Sequence, residues 1–149
     1  MPTRRAARQR GPSSRHVLIA LDELNNQGWQ PDSDTAAQLE RMLSASDDDI
    51  ADRLWADNDG NAIVDRTADL IGLTDTQPPN DPTEWGETRT TAHDVVSIYH
   101  YITSAVPDPA HEVIMNGLRN ARRIAADGTD QYFGIPAGFP NTTTAIKQG

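Results

Sequence analysis

The sequence predicts a mainly α-helical protein with one β-strand near its C-terminus. Three observations carry this reading. Apolar residues recur at three- and four-residue spacing in successive segments. Ser, Thr, Asp, Gly and Pro stand where such helices would start and stop. Only Thr142 to Lys147 has the β-branched texture of a strand. The chain has 149 residues, room for one domain with a single packed core.

Residues 1–12 read as a basic, disordered arm and 13–149 as a single domain. Val17 to Leu24 is the middle of a first helix that ends near Asn26 and Gly28, and Trp29-Gln30-Pro31 is a turn. Asp32, Ser33 or Asp34 caps a second helix carrying Leu39, Met42 and Leu43 on one face. After a break at Ser44 to Ser46, Ser46 or Asp47 caps a third helix. It turns Ile50, Leu54 and Trp55 inward, and Asp57-Asn58-Asp59-Gly60 closes it.

Asn61 to Ile71 repeats the pattern with Ile63, Val64, Ala68 and Ile71, and Gly72 is its C-cap. Thr74 to Arg89 is a polar loop with Pro78, Pro79 and Pro82. Loops of that length without structure of their own are often functional. Thr90-Thr91 caps a helix bearing Val95, Val96, Ile98, Tyr99 and Ile102. Pro107 ends it, and Pro109 opens a last helix that runs through Ile124. Gly128, Gly134, Pro136, Gly138 and Pro140 punctuate a loop before the strand. A lone strand cannot stand by itself, so either it pairs with another chain, as in self-association through this strand, or its sheet partners are missing.

Charge excludes one class of partner. Lys and Arg total 13 against 22 Asp and Glu, a formal net charge of −9. Five arginines fall within residues 1–15; without them eight basic side chains face 22 acidic ones, a body at −14. Such a body repels nucleic-acid phosphate. No apolar run approaches the roughly 20 residues that span a bilayer. Val17 to Leu21, stopped by Asp22 and Glu23, is too short for the core of a signal peptide, so the chain as written reads as cytoplasmic.

Metal and thiol chemistry find no motif. There is no cysteine, and His16, His93, His100 and His111 include no pair at the i, i+4 spacing of helical zinc ligands. Asp57-Asn58-Asp59-Gly60-Asn61 has the look of a calcium loop. With Gly60 sixth, however, Trp55 and Arg66 fall where the first and last oxygen ligands belong. No cofactor is predicted.

Several segments in order resemble a known family. Met42 to Leu54, with Ser46-Asp47-Asp48 at its centre, resembles the Ser-Asp-Asn segment of penicillin-binding proteins and class A β-lactamases. Thr90 to Val96 resembles the helix start after that family's omega loop, which Thr74 to Arg89 would then be. Thr142 to Gly149 resembles the strand bearing Lys-Thr-Gly, with Gln148 in place of Thr, and explains the single lysine, Lys147. Ser13-Ser14-Arg15-His16 stands where the family has Ser-x-x-Lys before an apolar helix.

The resemblance implies the helical subdomain of the β-lactamase and penicillin-binding-protein fold with its sheet incomplete, of actinobacterial type and apparently truncated. It implies a degenerate serine acyl hydrolase acting outside the cytoplasm on a β-lactam or a D-Ala-D-Ala peptide. Ser13 would be the nucleophile, His16 its base and Ser46 the proton relay. Asp48, Lys147 and Gly149 would meet the substrate, Lys147 steering its carboxylate. Asp48 can only accept hydrogen bonds where the family's Asn donates one. Glu84 and Glu87 do not reproduce the deacylating pattern, which disfavours rapid turnover. The alternative is a non-catalytic helical module that binds a cell-wall ligand or a protein.

Overall fold

The computed structural model describes residues 14–121 and Ala126. The basic arm, Ser13, Lys147, Gly149 and the expected strand lie outside the described residues. Six α-helices are present among those described: α1 (Ser14–Asn26), α2 (Ser33–Ala45), α3 (Asp48–Asp57), α4 (Asn61–Ile71), α5 (Ala92–Ser104) and α6 (Asp108–Arg119). One 3₁₀ turn, Trp85–Glu87, lies in the long loop before α5. The mainly helical expectation holds. There is no strand among the described residues, where the only β pairing is an isolated antiparallel bridge between Gln77 and Arg89.

The central element is α1. Every residue from His16 to Asp22 is buried, so the helix is enclosed on all sides. Helices α2, α3, α4 and α6 pack around it, while α5 packs on α4. Val17, Leu18, Ile19, Leu21 and Leu24 join Leu39, Met42, Leu43, Ile63, Ile98, Ile114 and Leu118 in one apolar cluster. Burying each such side chain stabilises the fold by about 1.5–3 kcal/mol. The α2–α6 contact is the tightest: a Cβ on Gly117 would stand 2.7 Å from the Cβ of Leu43. Only a glycine lets these two backbones approach so closely.

Asp22 puts a carboxylate in this enclosed helix, 1% exposed. A buried charge must be paired, and Arg66 of α4 supplies the partner. Its Nε and Nη2 each donate to an Asp22 oxygen at 2.8 Å, and Nη2 also donates to the Asn58 carbonyl at 2.8 Å. The bidentate contact holds the Arg66 guanidinium above its usual range.

The helix joints are short and close alike. Trp29, Asp47, Gly60 and Leu73 each donate a backbone N–H five residues back, to Leu24, Met42, Trp55 and Ala68, at 2.8, 3.2, 2.8 and 2.9 Å. This satisfies end carbonyls that the helices cannot bond themselves. Only Ser46 and Asp47 separate α2 from α3. Ser46 takes the left-handed conformation (φ 51°), and the Asp47 carboxylate caps α3 by accepting from Asp49 and Ile50 N–H at 3.1 and 3.3 Å.

The long loop is pinned at its base. Asp94 accepts from the Asp75 backbone N–H at 2.8 Å and from the Thr76 hydroxyl at 2.7 Å. Burial pushes its carboxyl up, but these donors, with Thr74 and His93, outweigh that effect and hold it below the ordinary range.

Two expectations are corrected here. Val96 is 69% exposed rather than core. The inward stripe of α5 is Asp94, Ile98 and Ile102, and Val96 lies two residues, about 200°, round the helix from Asp94. Helix α6 ends at Arg119 rather than Ile124. Asn120 leaves the helical conformation and its side-chain amide donates to the Asn116 carbonyl at 2.8 Å.

Two outcomes follow for stability. Arg66→Ala strands Asp22 and is expected to cost about 3 kcal/mol in urea unfolding; a loss below about 1 kcal/mol would show that the pair does not organise the core. Asp94, whose folded pKa is depressed, contributes stability that is whole above the unfolded carboxyl value of about 4 and lost as pH falls through the lower folded value. Asp94→Asn is therefore expected to be less stable than the parent at pH 7, with the gap narrowing in acid.

Candidate functional site

Helices α1 and α3 begin side by side, and the 3₁₀ turn closes over both starts. His16, buried near the start of α1, has Nε2 3.1 Å from Asp48 Oδ1 at the first turn of α3. Its ring meets that of Trp85 edge-on, with centroids 4.9 Å apart and planes at 67°. Trp85 in turn donates its indole N–H to Asp52 Oδ1 at 2.6 Å, one helical turn beyond Asp48. Arg15 Nε donates to the Thr88 carbonyl at 2.6 Å, tying the far end of the turn to α1. Burial pushes the Arg15 guanidinium below its usual range, against the attraction of Glu87.

Of the residues expected to act together, the structure joins His16 and Asp48. Ser46 sits half-buried at the α2–α3 joint. Ser13, Lys147 and Gly149 lie outside the described residues. Among the described residues, no group of three or more His, Asp or Glu side chains is placed to hold a metal ion.

Beyond Trp85 the surface opens into a cleft of about 450 Å³. It is lined by Asp52, Trp55, Ala56, Asp59, Gly60, Asn61, Pro82, Thr83 and Trp85. The α3–α4 turn forms one wall and the long loop the other. Trp55 bridges them by donating its indole N–H to the Pro82 carbonyl at 2.7 Å. Gly60, at φ 47°, passes so close that a Cβ there would stand 2.9 Å from Trp55 Nε1. A side chain would push the indole off Pro82 and strain the turn as well.

The sequence signalled this place only through the length and prolines of the loop. Which residues of the α3–α4 turn face it depends on contacts some 27 positions apart, as between Trp55 and Pro82.

Comparison with known proteins gives relatives of a different kind from the family resembled. Two of them carry the name "Putative lipoprotein LppW", from Mycobacterium tuberculosis (strain ATCC 25618 / H37Rv) and Mycobacterium bovis (strain ATCC BAA-935 / AF2122/97). Each is 36% identical over 114 residues, which cover 74% of this chain and 36% of the relative. The chain thus spans little more than a third of the length of the relatives it matches. No protein-family model matches it. No solved structure matches it.

The resemblance to penicillin-binding proteins and class A β-lactamases is therefore set aside. The relatives are named as lipoproteins, and the described residues hold no part of a sheet. Helix chemistry accounts for two of the segments that carried it. Ser46-Asp47-Asp48 is a helix joint with Asp47 as cap, and Thr91 caps α5 by accepting from the Asp94 N–H at 3.2 Å. With the resemblance go the serine-hydrolase and cell-wall readings drawn from it.

Trp85→Phe tests the corner. It keeps a ring against His16 but removes the indole donor to Asp52. The expected loss is about 1–2 kcal/mol of stability, the value of a hydrogen bond to a charged group at a partly exposed site. An unchanged melting temperature would show that the turn is held by other contacts.

Proposed function

We propose that this chain is a non-catalytic helical protein-binding module working outside the cytoplasm, with the cleft between the α3–α4 turn and the long loop as its recognition surface. The observation that carries the reading is the cleft itself. Its volume of about 450 Å³ falls within the range usual for ligand pockets. Its walls are built by side chains held in place: both indoles that line it are buried and hydrogen-bonded across it. A preformed surface loses little freedom on binding.

The neighbouring histidine supports a structural reading of the corner. His16 is enclosed between Asp48 and Trp85 and positions the turn that carries one wall of the cleft. The placement outside the cytoplasm rests on relatives named as lipoproteins, and it replaces the cytoplasmic reading of the sequence. No described helix is long and apolar enough to cross a membrane.

Two measurements test the proposal. Intact-mass spectrometry after incubation with a penicillin is expected to show the unmodified chain; a stoichiometric serine adduct would overturn the non-catalytic reading. Peptides selected for binding to the immobilised full chain are expected to lose affinity for Thr83→Trp, which fills the mouth of the cleft. Peptides that bind this variant as well as the parent would place recognition elsewhere.

A further inference from the structure

We draw no further inference here: the strongest candidate, the outward face of helix α5 with exposed Val96 between His93 and His100, is an unpartnered helix face, and nothing in the structure shows what covers it.

Discussion

A single buried carboxylate sets the constraint that the rest of this structure satisfies. Asp22 sits on the helix around which the others pack, at a depth where water cannot neutralise it. Its partner, Arg66, must come from α4, and the same guanidinium reaches the Asn58 carbonyl just past the end of α3. Asn58 in turn donates its side-chain amide to Glu23 of α1 at 2.9 Å. One charge thus fixes where α3 stops and α4 starts relative to α1. That turn is a wall of the cleft. Core electrostatics and surface recognition are, in this protein, the same set of bonds.

What was legible in the sequence is what local chemistry decides. Helix caps depend on neighbours within a few residues, so Asp47, Gly72 and Thr91 could be read directly as caps. The apolar run Val17 to Leu21 marked the middle of α1, but the burial of His16 and Asp22 beside it did not show. Non-local geometry was not legible. Nothing in the spacing of His16 and Asp48, 32 residues apart, indicates that they touch, and the error at Val96 came from counting apolar residues without knowing which stripe of α5 faces α4. The mistaken family resemblance has a related cause. A serine, an aspartate and another polar residue before an apolar run form a sequence that any capped helix favours, so motifs of that kind recur without the rest of the family.

Charge had to be read at two scales. The total of −9 leads the sequence reading to expect no nucleic-acid partner, but it does not locate a site. Much of the acid is absorbed by structure: Asp22 is paired with Arg66, Asp94 anchors the loop, and Asp47 caps α3 while accepting from Arg41 at 2.7 Å. Asp59 stands apart as an exposed carboxylate on the rim of the cleft. The useful quantity is therefore the charge left after the internal pairs have been subtracted.

The joint between α2 and α3 carries a consequence for how such a chain can vary. Two residues connect the helices, and Asp47 serves both, donating its N–H to Met42 and receiving the first N–H groups of α3. Adding one residue would rotate α3 by about 100°, turning Asp48 from His16 and Asp52 from Trp85 together. Homologous chains that keep this arrangement should differ there by substitution and not by length. Insertions belong instead at exposed Asn80 of the long loop, ahead of the residues from Asp81 on, whose bonds shape the cleft wall.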